Sequence, residues 1–192
     1  MLVQEKLSLK DTSIFFDKTL SKQFGFEKTI KTNRQRQSGV FLTNSLDIIE
    51  NILSIIEITP EIFYKRILEP SCGQGIFILR LISKVYKVFP NELLISDFIS
   101  KNIFFIDIQQ EMVEKTISNI KSFYKYLFGI DYSGTFNYII KDFTEKSSSQ
   151  LSPLDELNKI QFTSLYKSFD YVIGNPPYVT LYGRRDKKQN EA

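Results

Sequence analysis

The chain has 192 residues, 42% hydrophobic and 24% charged, a composition that supports a packed core and excludes disorder throughout. Its formal charge of +3 is too small to argue for or against a nucleic-acid partner. With no histidine and a single cysteine, Cys72, it excludes a Ser-His-Asp triad, an imidazole base, a His-containing zinc site, an intrachain disulfide and a thiolate cluster, so a metal-free, cytoplasmic protein is expected.

The amino terminus, 1–10, lacks the charged-then-apolar pattern of a signal segment. Residues 11–24 carry Phe15, Phe16, Leu20 and Phe24 at helical spacing, with caps available from Asp11 to Ser13. A polar, basic run over 31–38 reads as a linker. A second helix is expected from Ser45, with Leu46, Ile49, Leu53 and Ile56 on one face, ending before Pro60. Asp47, Glu50, Asn51 and Glu57 interrupt this most apolar stretch, so no membrane span is expected.

Strand and helix patterns then alternate. Residues 66–69 read as a strand, 75–88 as a helix with Phe77, Leu79, Leu81, Ile82 and Val85, and 102–107 as a buried strand. The stretch 87–101 looks like an insertion. A long helix over 109–127 carries Met112, Val113, Thr116, Ile117, Ile120, Phe123, Tyr124 and Leu127 along its apolar stripe. Strands follow over 136–141 and 170–174, separated by an irregular stretch, 142–169, with one short helix near 154–160. Strands joined by helical crossovers indicate a parallel sheet of the doubly wound kind, which binds ligands at the carboxyl ends of its strands.

Each strand end carries a group suited to that task. Glu69-Pro70-Ser71-Cys72-Gly73-Gln74-Gly75 leaves a strand and enters a helix, where glycines allow close backbone approach and the helix start offers free N–H groups. Ile78 stands where a dinucleotide fingerprint needs its third glycine, and Glu69 would repel phosphate but suit an amino group. In Phe105-Ile106-Asp107-Ile108, Asp107 can accept from both hydroxyls of a ribose, and Asp142-Phe143 offers an acceptor and a ring for a purine. Each also has a plain reading: a glycine-rich turn, a helix cap and a strand-end turn.

Asp170-Tyr171-Val172-Ile173-Gly174-Asn175-Pro176-Pro177-Tyr178 is the most specific stretch. Successive prolines fix φ and remove two donors, leaving a stiff loop rich in acceptors. The Asn175 side-chain oxygen and the Pro176 carbonyl can each take one N–H of an exocyclic amine, while Tyr178 stacks on the ring that bears it. An aryl amine is a poor nucleophile because its lone pair is delocalised. Hydrogen bonds that favour a pyramidal nitrogen lower the barrier to direct displacement on an aligned methyl donor. The plain reading is a proline-stiffened surface turn.

In motif order the chain resembles the gamma group of adenine-N6 DNA methyltransferases, over residues 38–178. The cofactor signature is Leu68-Glu69-Pro70-Ser71-Cys72-Gly73-Gln74-Gly75-Ile76-Phe77 and the catalytic signature is Asn175 to Tyr178. Upstream, Gly39-Val40-Phe41-Leu42-Thr43 is similar to the family's amino-terminal cofactor motif, with Asn44 where proline is usual. The resemblance implies a Rossmann-like class I methyltransferase sheet, here its first strands only, behind amino-terminal helices. It implies S-adenosylmethionine as cofactor, a flipped-out adenine of duplex DNA as substrate, and a restriction-modification system with a nuclease or specificity module, fused or separate, as partner.

Residue by residue, Thr43, Glu69, Pro70, Cys72, Gly73, Gly75, Asp107, Ile108, Asp142 and Phe143 would form the cofactor site. Glu69 would hold the methionine amino group, Asp107 the ribose and Asp142 the adenine amine, with Phe143 against that ring. Asn175, Pro176, Pro177 and Tyr178 would form the catalytic loop. The expected organisation is a helical segment and linker over 1–37, the cofactor-binding catalytic half-domain over 38–178, and a basic tail over 179–192. Because the family continues with further strands and a DNA-recognition domain after this motif, truncation is expected.

Other readings stay open. A release-factor glutamine methyltransferase uses the same Asn-Pro-Pro-Tyr device, but its cofactor loop usually ends its strand on Asp followed by Gly-Thr-Gly. An rRNA base methyltransferase is a similar option. A cytosine-C5 enzyme is disfavoured because Cys72 lies in the cofactor loop. A catalytically silent fragment with an unpaired sheet edge belongs to a different class.

Overall fold

In a computed structural model the described residues are 9–29, 43, 45–141 and 168–175, with the side chains of 23–29 left out. The linker at 31–38, the short helix near 154–160, Asp142, Phe143, Pro176, Pro177 and Tyr178 lie outside them. The elements run α1 (Ser13–Thr29), α2 (Leu46–Leu53), a 3-10 turn (Pro60–Tyr64), β1 (Ile67–Glu69), α3 (Ile76–Val88), α4 (Glu92–Asn102), β2 (Ile103–Asp107), α5 (Gln110–Phe128), β3 (Asn137–Ile140) and β4 (Tyr171–Val172).

Local chemistry explains most boundaries. The Asp11 carboxylate accepts from the Ser13 N–H at 2.9 Å before α1, and the Ser45 hydroxyl accepts from the Ile48 N–H before α2. The second helix stops at Leu53, short of the expected limit before Pro60, and the Ser54 hydroxyl bonds back to the Asn51 carbonyl at 2.7 Å. Ile56 is nevertheless buried. The stretch expected to be an insertion forms α4, capped by the Asn91 side chain at the Leu94 N–H and burying Ile95, Phe98 and Ile99. At the far end of α5, Gly129 takes a left-handed C-cap with φ of 77°.

The four strands form one parallel sheet in the order β3-β2-β1-β4. Ile67 pairs with Ile103 on one side and Tyr171 on the other, so these three side chains share a face. That face, with Phe105 and Ile173, joins one hydrophobic cluster with Phe16 of α1, Ile49 and Leu53 of α2, Leu79, Leu81, Ile82 and Val85 of α3, and Val113, Ile120, Phe123 and Leu127 of α5. The architecture is α/β and fits an incomplete Rossmann-like methyltransferase sheet. No helix among the described residues is long and apolar enough to cross a membrane.

Candidate functional site

The strand order runs outward from β1 in both directions, toward β2 and β3 on one side and β4 on the other. At such a reversal the loops leaving the two central strands diverge and open a crevice beyond their carboxyl ends. The loop after β1 is Pro70 to Gly75, and the segment after β4 is Ile173 to Asn175. Their closeness is measurable at Gly174, where an added Cβ would meet Pro70 Cδ at 3.7 Å and Glu69 Cγ at 3.8 Å. The backbone there has φ of 151°, which L side chains rarely adopt. Two segments about a hundred residues apart in the chain therefore touch, as each leaves its strand.

The first loop is held almost atom by atom. Cys72 donates its N–H to the Ile106 carbonyl at 2.9 Å, and Gly73 donates its own to Asp107 Oδ2 at 2.9 Å. Gly73 and Gly75 have positive φ, 53° and 79°, which turn the chain into α3. Asp107 also accepts from the Gln109 N–H through Oδ1 at 2.9 Å, so the plain reading of a helix cap is realised alongside a tie to the loop. Each carboxylate oxygen keeps a further lone pair for a hydroxyl. Ile108 is exposed beside it, whereas the Cys72 side chain is buried with its thiol near Thr116.

Glu69 is the most unusual group of the site. It is buried at the end of β1, and among the described residues its Oε2 and the Ser71 hydroxyl are buried without a hydrogen-bond partner. Burial, reinforced by the nearby negative charge of Asp107, holds its carboxyl well above the usual carboxylate range, against a smaller opposing effect of the Ile78 N–H. Desolvation raises the Asp107 carboxyl as well, with the N–H groups of Gln109 and Gly73 opposing it. Orphaned buried polar atoms are costly and rare, and they cluster where a ligand completes them. A cationic amino group is a partner that both Glu69 Oε2 and the Ser71 hydroxyl oxygen suit.

At the second segment, Asn175 is half-buried and donates through Nδ2 to the Thr43 hydroxyl at 3.3 Å. This contact joins the segment around Thr43 to the segment that leaves β4. With Nδ2 committed as the donor, Oδ1 is the acceptor end of the amide. Sequence reasoning placed Thr43 in the cofactor site, and its contact with Asn175 had no signal in the spacing.

Two further polar residues escaped notice because they sit on a helix read as apolar at that face. Thr116 of α5 is fully buried and donates to the Gly73 carbonyl at 3.0 Å, and Asn119 donates through Nδ2 to the Gln74 carbonyl at 2.9 Å. The available signal was a threonine within an otherwise hydrophobic stripe.

Residues 101–192 match the Eco57I restriction-modification methylase family. The matched region begins at the end of α4 and takes in β2, α5, β3 and β4 together with the Asn-Pro-Pro-Tyr stretch. The match supports a DNA methyltransferase of a restriction-modification system, and the parallel sheet described above is compatible with an incomplete methyltransferase fold. None of the curated proteins matches the chain.

Proposed function

We propose that the protein methylates the N6 amine of an adenine turned out of duplex DNA, using S-adenosylmethionine, as the modification partner of a restriction nuclease or specificity module. The observation that carries this reading is the close approach of Gly174 to Glu69 and Pro70, which brings the residue preceding Asn175 next to the end of β1 and its buried carboxyl, whose Oε2 has no partner among the described residues. A carboxyl suited to a methionine amino group and an acceptor suited to an aryl amine then share one crevice.

Each residue has a task in this reading. Glu69 binds the amino group of the cofactor, and Asp107 accepts from its ribose with Ile108 alongside. Pro70, Gly73 and Gly75 let the backbone approach, Cys72 anchors the loop, and Asp142 with Phe143 holds the purine. S-adenosylmethionine, when bound, supplies an electrophilic methyl group. Asn175 Oδ1 and the Pro176 carbonyl each accept one N–H of the target amine, and Pro177 stiffens the loop. Together they turn the nitrogen lone pair out of conjugation with the ring. Tyr178 stacks on the base and replaces part of the stacking lost on leaving the duplex.

Incubation with methyl-labelled S-adenosylmethionine and duplex DNA should place the label in N6-methyladenine. Asn175→Ala should lower transfer by roughly a hundredfold or more, as loss of a positioned hydrogen-bond group does, while calorimetric titration finds cofactor binding nearly intact. Label found only on a protein glutamine would overturn the DNA assignment.

A further inference from the structure

The carbonyls of the glycine loop from Cys72 to Gly75 each have a partner. The Cys72 carbonyl accepts from Gly75 N–H at 2.7 Å and the Gly75 carbonyl from Leu79 N–H at 2.9 Å, as the entry into α3 requires. The two between them, of Gly73 and Gln74, are taken by the Thr116 and Asn119 side chains of α5. These residues are one helical turn apart and so face the loop together. The loop is therefore gripped from the next crossover helix, not only by its own turn.

Thr116 is matched to this role in shape as well as in hydrogen bonding. A Cβ on Gly75 would lie 2.7 Å from Thr116 Cγ2, so the helix and the loop backbone are in direct contact and only glycine fits. The Thr116 hydroxyl also lies 3.5 Å from Cys72 Sγ. Burial pushes the Cys72 thiol up, so it keeps its proton, and the Thr116 hydroxyl reaches both its sulfur and the Gly73 carbonyl. The Thr116 hydroxyl thus lies between the thiol and the carbonyl of the loop, inside the core.

We propose that Thr116 and Asn119 are positioning residues for cofactor binding, which hold the carbonyls of Gly73 and Gln74 inward so that the loop keeps the shape its ligand requires. The proposal rests on the reading of this loop as the cofactor loop. A loop that samples other shapes binds in proportion to the fraction of time it is competent, so losing the clamp weakens affinity without removing any ligand contact.

The test uses Thr116→Val, which keeps shape and removes the hydroxyl, Thr116→Ser, which keeps the hydroxyl, and Asn119→Asp, which sets an acceptor against the Gln74 carbonyl. Titration with S-adenosylmethionine should show roughly tenfold weaker binding for Thr116→Val and Asn119→Asp, and near-complete rescue in Thr116→Ser. The loss should fall on the KM for S-adenosylmethionine far more than on kcat.

Amide hydrogen exchange of the ligand-free chain supplies a second arm. Gly73, Gln74 and Gly75 should exchange faster in the two weakened variants, while the amides in the middle of α3 and α5 keep wild-type rates. Unchanged loop exchange, or faster exchange spread equally over both helices, would overturn the proposal. If the wild type binds no S-adenosylmethionine, the methyltransferase reading fails, and the exchange arm still decides whether Thr116 and Asn119 hold the loop.

Discussion

Glu69 ties the chemistry of the site to a measurable pH dependence. An unfolded glutamate titrates near 4.3, whereas burial and the Asp107 charge raise the folded carboxyl. Between these two values the folded protein retains a proton that the unfolded chain has released, so stability falls as pH rises through the window and is fully present only below it. Glu69→Gln, which is isosteric and never charged, should lose less stability across that window when urea midpoints are compared with those of the wild type. A cationic ligand reverses the preference, because its ammonium favours the carboxylate. Binding of S-adenosylmethionine should therefore release a proton and tighten with pH in the wild type but not in Glu69→Gln, as calorimetry in two buffers of different ionisation enthalpy would show. Gly75→Ala should be severe for a different reason: its φ of 79° and the 2.7 Å approach of Thr116 Cγ2 leave no room for a Cβ. The left-handed backbone alone costs about 1–2 kcal/mol, and the unfolding midpoint should fall by more than that implies. Both residues were legible as motif members. The burial of Glu69 was not, since it depends on what packs over the end of β1.

At the scale of elements, β4 is very short and pairs with β1 at only two positions, and the segment carrying Gly174 and Asn175 leaves from it. A clamp at its amino end compensates. The Arg66 carbonyl accepts from the N–H groups of Asp170 and Tyr171 at 2.9 and 3.2 Å, and Asp170 Oδ2 accepts from the Arg66 N–H at 2.8 Å. The Arg66 guanidinium lies over the rings of Phe104 and Phe169, 4.6 and 5.1 Å from their centroids, and bonds Ser168. Asp170→Ala should cost about 1 kcal/mol and accelerate exchange of the Ile173 N–H, which donates to the Leu68 carbonyl at 2.9 Å. The α1 helix is bound to the same structure through Phe16, which is fully buried and 5.5 Å from the Phe123 ring. Phe16→Ala should cost about 3–5 kcal/mol by denaturant unfolding, the range for truncating a buried aromatic. Hydrophobic spacing disclosed α1, α3 and α5, because their stripes are long. It did not disclose α4, whose buried residues are fewer and whose start depends on the Asn91 cap, nor the early end of α2 at Ser54.

For the whole molecule, the decisive property is the order β3-β2-β1-β4, which brings the first motif and the last into one crevice. A ligand held by loops from several strands should stabilise the entire fold: S-adenosylmethionine at a hundred times its Kd should add about 2.7 kcal/mol, read as a rise in the unfolding midpoint. If Glu69 meets the amino group as proposed, the same addition should do little to a Glu69→Gln variant, which lacks the carboxylate. By itself, the sequence determined the alternation of strands and helices, the residues at each strand end and the kind of groups they can bind, because periodicity and motif chemistry are local. Only the tertiary structure decided that Gly174 rests against Glu69 and Pro70, that Asn175 donates to Thr43, and that Thr116 and Asn119 hold the loop. Those contacts join residues from 43 to 132 positions apart. They follow from strand order and helix packing, which no local pattern encodes.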